Sequence, residues 1–255
     1  MMTEPAIQLS QFDRSLDPLQ DLLHEVSSAG FTGVEFFQRL PGSDPDLILQ
    51  SLEQTGLETA GVHVWPGWFE HDTEERFELC TRIGCTRLIG SHFDEWTLAD
   101  EDSVVEFAAE LESVADFVGE HGFEFHYHNK GRAGRTLENG QLALERLLEE
   151  LDDDIGFQLD AAHAIEIAAD PIELLERHAE RIDTIHFRDA VPSVDHAVAM
   201  GQGDVDLEGV YAAAVRADVE WVVYEGNPRL DTLHSALEWA RGDRFTRASE
   251  PTLDE

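Results

Sequence analysis

The sequence predicts a protein of the α/β class, a single (β/α)8 (TIM) barrel, and three observations predict it. The chain has 255 residues, the usual length for one such barrel. Short apolar runs recur about every 30 residues, with longer amphipathic segments between them. Polar and ionisable residues gather at one end of those runs, which is where this fold builds its sites.

The short runs are Ala6–Leu9, Gly33–Phe37, Thr59–Val64, Arg87–Ser91, Phe123–His128, Ile155–Leu159, Thr184–Phe187 and Trp221–Tyr224. Several are apolar without strict alternation, the pattern of parallel strands buried on both faces. The segments between them read as helices. Asp17–Ala29 puts Leu19, Leu22, Leu23 and Val26 on one face, and Ser103–Glu120 does so with Val104, Phe107, Leu111, Val114 and Val118. Gln141–Leu151 carries Leu142, Leu144, Leu147, Leu148 and Leu151. Gly30, Gly56, Gly84 and Gly122 fall just past four of the helices, where a left-handed C-cap belongs. No linker or low-complexity stretch divides the chain. Residues 1–242 are therefore read as the barrel and residues 243–255 as a loose acidic tail.

Composition narrows the partners. With 54 Asp and Glu against 17 Lys and Arg, the net charge is −37. Such a polyanion repels nucleic acid and anionic membrane, so neither is expected as a partner. Lys130 is the only lysine, and the acidity with lysine almost absent suggests a halophilic proteome. This charge argues about solubility and not about substrate. Cys80 and Cys85 alone make no disulfide framework and no Cys-based zinc site. The N-terminus, MMTEPAIQLS, has no signal-peptide pattern, and no apolar stretch approaches the roughly 20 residues of a membrane span. A cytoplasmic protein is expected. The number of subunits is left open, a homo-oligomer included.

The strand ends carry the chemistry. Strand two ends with Glu35, strand three with His63, and strand four with Ser91 and His92. Strand five gives His126, His128, Asn129 and Lys130; strand six gives Asp160 and His163. Strand seven gives His186, Arg188 and Asp189, and strand eight gives Glu225 and Asn227. Imidazoles and carboxylates converging from separate strands suit a divalent metal such as Mn²⁺, Mg²⁺, Co²⁺ or Zn²⁺. Asp160, His186 and Glu225 come from three consecutive strands.

Six motifs stand in order on these strands: GVEFF (Gly33–Phe37), FHYHNK (Phe125–Lys130), LDAAHA (Leu159–Ala164), IHFRDA (Ile185–Ala190), GQGDVD (Gly201–Asp206) and YEGNP (Tyr224–Pro228). Together they resemble the sugar phosphate isomerase/epimerase group of xylose-isomerase-like barrels, over roughly residues 6–240. That group includes keto-sugar epimerases, hydroxypyruvate isomerase-like proteins and inosose dehydratases. The resemblance implies a metal held by Asp160, His186 and Glu225, with His163 touching substrate. The strand-five ligand of the epimerase-type members is a Glu; here the position is His128, followed by Lys130 and Gly-Arg-Ala-Gly-Arg. His128 is thus the expected fourth ligand.

The implied activity is isomerisation or epimerisation of a sugar or sugar phosphate, by proton transfer through a metal-stabilised enediolate. Glu225 is the expected acid/base on one side, and His128 or His163 on the other. Glu35, His63, His92, Lys130 and Arg188 are expected to contact substrate. An inosose-dehydratase-like lyase shares the first proton abstraction and is the nearest alternative. A barrel that binds ligand without catalysis is another. An endonuclease IV-type DNA repair enzyme needs a basic track, which the charge opposes. The loop after strand five, with Lys130, Arg132 and Arg135 and no acid from Asn129 to Leu137, reads as a site for an anionic group of the substrate.

Overall fold

A computed structural model describes residues 3–12, 18–38, 40–93, 98–131, 135–194, 198–226 and 232–248. The apolar runs become strands β1 (Glu4–Gln8), β2 (Gly33–Phe36), β3 (Glu58–Val64), β4 (Arg87–Gly90), β5 (Glu124–His128), β6 (Gly156–Asp160), β7 (Thr184–Phe187) and β8 (Trp221–Tyr224). They pair in sequence order, all parallel, and β8 closes on β1. This is the closed (β/α)8 barrel that the spacing predicts.

The amphipathic segments become α1 (Leu19–Ala29), α2 (Pro45–Thr55), α3 (Thr73–Arg82), α4 (Glu101–Gly119) and α5 (Ala143–Glu150). Next come α6 (Ala161–Glu166), α7 (Pro171–Arg177), α8 (Leu207–Arg216) and α9 (Leu233–Ala240). Aspartates open several of them. Asp44 accepts from the backbone N–H of Asp46 at 3.0 Å, Asp100 from that of Ser103 at 2.9 Å, and Asp170 from that of Ile172 at 2.8 Å. Part of the acidity therefore satisfies helix N-termini and complements their dipoles. Gly30 and Gly56 end α1 and α2 in the left-handed region, at φ 108° and 68°. A side chain there would strain the C-cap.

Two boundaries differ from the sequence reading. Helix α5 starts at Ala143, because Leu142 is held extended by a bridge to Thr136. The barrel's outer layer also continues past residue 242. Helix α10 (Asp243–Ala248) packs Phe245 against Tyr211 and Trp239, with ring centroids 5.7 Å apart in both pairs. The expected tail is thus helical at its start; the residues from 249 onward lie outside the described ones.

Side chains alternate across each strand, and this decides what fills the barrel. On β6, Phe157 and Leu159 form one row while Gly156, Gln158 and Asp160 form the other. The outer row of β5 packs under the helices, Tyr127 lying 6.0 Å from Phe107 of α4. At the N-terminal end the interior holds Trp221, clustered with Ala6, Ala60 and Val223. A Cβ on Gly33 would run into the Trp221 ring, so the indole needs small neighbours. Towards the C-terminal end the interior turns polar.

Candidate active site

Glu35 is the hub of the polar interior. It is fully buried. Its Oε1 lies 2.6 Å from His186 Nε2 and 2.8 Å from His63 Nε2, and it accepts from Gln8 Nε2 at 2.8 Å. Its Oε2 accepts from Gln158 Nε2 at 2.6 Å. Four strands thus converge on one carboxylate. Burial alone would raise its pKa, but the imidazoles of His186 and His63 outweigh this and hold it well below the usual carboxylate range.

His186 stands between two carboxylates. Its Nε2 faces Glu35, and its Nδ1 lies 3.0 Å from Glu225 Oε2, outside good hydrogen-bond geometry. Burial opposes its charge, yet Glu35 and Glu225 raise its pKa to about 10. Glu225 is pushed down, its burial outweighed by His186, Arg188 and Lys130. Asp160 is also lowered, burial being outweighed by Arg188 and His163. His128 goes the other way: burial and the charges of Lys130 and the neighbouring histidines keep it neutral.

The local fold fixes these side chains. Asp160 ends β6 and caps α6, its Oδ1 accepting from the N–H of His163 at 2.8 Å. Asn129 locks its backbone reciprocally, with Asp160 N donating to Asn129 Oδ1 at 2.7 Å and Asn129 Nδ2 donating to Asp160 O at 3.2 Å. Asp160 Oδ2 is left pointing into the site, 3.0 Å from Arg188 Nε and 4.0 Å from His128 Nε2. Glu166, one turn along α6, holds His163 Nδ1 at 2.7 Å. Arg188 Nη2 lies 3.2 Å from the same ring.

Donor atoms of Asp160, His186 and Glu225 all lie within 4.8 Å of one another, as do those of His128, Asp160 and His163. His128 Nδ1 is buried without a hydrogen-bond partner, and Asp160 Oδ2 and His186 Nδ1 meet Arg188 and Glu225 only as ion pairs outside hydrogen-bond geometry, although such buried atoms normally find a hydrogen bond. A field that lifts a buried imidazole to about 10 also attracts a cation. These residues fit a divalent metal, and they include the four ligands expected from the sequence.

The structure sorts the other expected residues. Glu35 and His63 are buried beneath His186, within the network above, and His63 Nδ1 also meets Ser91 Oγ at 3.2 Å. His92 is exposed and stacks on Phe37, ring centroids 5.7 Å apart, and Trp65 meets Phe37 edge-on at 5.8 Å. Lys130 is half-buried just after β5. His126 is a correction. It is the middle residue of β5, two positions before His128, and its side chain meets Glu124 and Asp183 on the side of the strand's N-terminal end. Asp189 is committed to the GQGDVD loop, accepting from the N–H groups of Gly201 at 2.9 Å and Gly203 at 2.7 Å. Arg132, Gly134 and Asn227 lie outside the described residues. Gln8, Gln158 and Glu166 were not anticipated. A signal existed for Gln158: it is a polar residue inside an apolar run, two before Asp160 and so on the same face.

Fold and site together define a (β/α)8 barrel with a carboxylate–imidazole centre at its C-terminal face. The family model for the xylose isomerase-like TIM barrel matches residues 23–242, and the chain belongs to that family. The rhizopine catabolism protein MocC of Rhizobium meliloti is 25% identical over 219 residues, which cover 76% of this chain and 65% of that protein. The chain thus spans just under two thirds of that relative. An inosose dehydratase of Geobacillus kaustophilus is 24% identical, covering 80% of this chain and 78% of its own. Among solved structures, a sugar phosphate isomerase/epimerase from Parabacteroides distasonis superposes with a TM-score of 0.75 at 16% identity, covering 98% of this chain and 97% of its own. A zinc-bound IolI protein superposes with a TM-score of 0.67 at 16% identity, covering 97% and 98%. Among the described residues no helix is long and apolar enough to cross a membrane.

Proposed function

We propose that the chain is a metal-dependent enzyme of isomerase/epimerase type, acting on a ketose or its phosphate. The observation that carries this reading is the convergence of Asp160, His186 and Glu225 within 4.8 Å, with His128 beside them. A divalent cation bound there would supply Lewis-acid polarisation of the ketone and its neighbouring hydroxyl. That the IolI structure, a barrel of the same fold, binds zinc supports a metal-dependent reading.

The chain's own groups then divide the proton work. His186, Arg188 and Lys130 keep Glu225 ionised against its burial, so its carboxylate is in the form that takes the proton from the carbon beside the carbonyl. The C–H electron pair moves into an enediolate. His128, kept neutral, can accept a hydroxyl proton; His163, its ring held by Glu166 and Arg188, is oriented to return one. Return to the neighbouring carbon is isomerisation, and return to the opposite face is epimerisation. Glu35, Gln8 and Gln158 orient His186 from below, while Phe37, Trp65 and His92 wall the mouth against one face of the sugar.

One observation favours a second reading. His128 replaces the strand-five glutamate, so the pair of glutamate bases is lost. An imidazole acid suits protonation of a departing β-hydroxyl, and the inosose dehydratase relative aligns over 80% of the chain. Elimination of water would then follow the same first step.

The test is metal-loaded protein incubated in D₂O with a panel of ketoses, ketose phosphates and inososes. Deuterium at the carbon beside the carbonyl, with mass otherwise conserved, is expected for an isomerase or epimerase. Deuterium exchange with loss of water identifies the lyase. No exchange anywhere in the panel removes the catalytic reading and leaves a ligand-binding barrel.

A further inference from the structure

The misplaced histidine of strand five has chemistry of its own. His126 is 2% exposed, and its Nδ1 is buried with no hydrogen-bond partner. Its Nε2 lies 3.9 Å from Glu124 Oε2 and 3.8 Å from Asp183 Oδ2. Those distances are too long for hydrogen bonds. They are the separations of donors that share one ion, since two ligands at roughly 2.0–2.2 Å from a metal lie up to about 4 Å apart. Donor atoms of all three residues fall within 4.8 Å of one another.

The seat of the imidazole is built. Glu124 and His126 are two apart on one face of β5, and Asp183 immediately precedes β7. On β6, which lies between, the register partner of His126 is Gly156. A Cβ at Gly156 would collide with the imidazole ring. A neighbouring cation, Arg87 on β4, is engaged elsewhere, with Nη2 2.6 Å from Glu220 Oε2 and Nη1 donating to Ala60 O at 3.2 Å. It leaves the two carboxylates facing the histidine, and both are open to solvent on their far side.

We propose that Glu124, His126 and Asp183 form a second divalent-metal site at the N-terminal end of the barrel, separate from the active-site cluster. One imidazole with two carboxylates suits a borderline ion such as Zn²⁺ or Co²⁺, water completing the coordination. The ion would tie β5 to β7 across β6 and so clamp the end of the barrel away from the chemistry. The inference does not depend on the reading of the active site.

The test is a titration of chelator-stripped protein with Zn²⁺ and, separately, Co²⁺ in 1 M KCl, which suppresses diffuse binding to the acidic surface. Wild type is compared with Glu124→Gln/Asp183→Asn, whose changed side chains are largely exposed, and with Asp160→Asn/Glu225→Gln. Circular dichroism checks that each variant is folded. The rear variant is expected to bind one equivalent fewer than wild type, and the front variant to retain one equivalent that disappears when the two sets are combined. A wild type that binds one ion, lost in the rear variant alone, supports this site and removes the front one. A rear variant with the same stoichiometry as wild type overturns the proposal and leaves His126 an ordinary buried imidazole beside two acids.

Discussion

Glu35 on β2 and His186 on β7 meet across the barrel interior, Oε1 to Nε2 at 2.6 Å. The imidazole therefore presents Nδ1, its other nitrogen, to Glu225 and the site. A carboxylate behind a metal-ligating histidine fixes the ring and raises its basicity, and loss of such a partner typically costs 10–100-fold in metal affinity. Glu35→Gln keeps the shape but removes the charge, and its amide can accept at only one of the two positions that now accept from Gln8 and Gln158. Metal affinity should fall by about 10–100-fold, measured by competition with a chromophoric chelator. Unchanged affinity would show that the network is packing alone.

Asp160 has two jobs, and two substitutions separate them. Its Oδ1 caps α6 and its Oδ2 faces the site. Asp160→Ala should abolish metal binding and also destabilise the fold, a lost cap alone costing about 1 kcal/mol. Asp160→Asn keeps an oxygen for the cap, so it should lose metal and activity with a smaller change in melting temperature. If both variants keep metal, Asp160 is not a ligand.

The charge state of His186 gives a pH signature. Its folded pKa is raised to about 10 from an ordinary 6.5. A raised imidazole contributes stability that is fully present below the unfolded value and lost as pH rises through the folded one. Melting temperature of the chelated protein should therefore fall between pH 6.5 and about 10. Metal should flatten that fall, because a ligating imidazole is already deprotonated and binding releases the proton. A chelated protein whose melting temperature is flat over this window would mean that His186 is neutral when folded.

The four residues proposed to hold the front metal were legible in the sequence because they stand at or beside the ends of apolar runs, and strand ends are where this fold builds sites. The supporting layer was less legible. Gln8 and Gln158 matter only through Glu35, and a contact across a closed barrel depends on strand order and register together. Glu166 depends on a short helix starting immediately after β6. His126 was misread because every polar residue of strand five was assigned to the rim; two positions before His128 on the same face, it sits about 6.6 Å further from the strand's C-terminal end. The start of the presumed tail carried one signal, Phe245, an aromatic residue among charged ones that finds its partners on α8 and α9.

The surface predicts a need for salt. A net charge of −37 on 255 residues makes the folded state repel itself, and the Debye length shrinks from about 30 Å at 0.01 M to about 3 Å at 1 M salt. Melting temperature should rise between about 0.01 M and 1 M KCl. N-capping aspartates such as Asp44 and Asp170 offset part of the repulsion locally. A melting temperature indifferent to salt would place most of the carboxylates too far apart to interact.

Lys130 offers the sharpest probe of what the substrate carries. It is the only lysine, it is half-buried at the end of β5, and its charge reaches both His128 and Glu225. Arg135 follows on the same segment, and no acid stands between Asn129 and Leu137. In a chain this acidic, a stretch with several cations and no carboxylate suits a phosphate or carboxylate of the ligand, with lysine acting as a point charge. Removing that charge should weaken binding of an anion without altering the chemistry at the ketone. Lys130→Met should therefore raise KM by about tenfold for a phosphorylated ketose, the equivalent of one 1.4 kcal/mol interaction. The change for the neutral sugar should be much smaller. A change in kcat instead, equal for both substrates, would mean that Lys130 acts by holding Glu225 ionised. Equal effects on KM, or none, would make the segment an ordinary solvated loop.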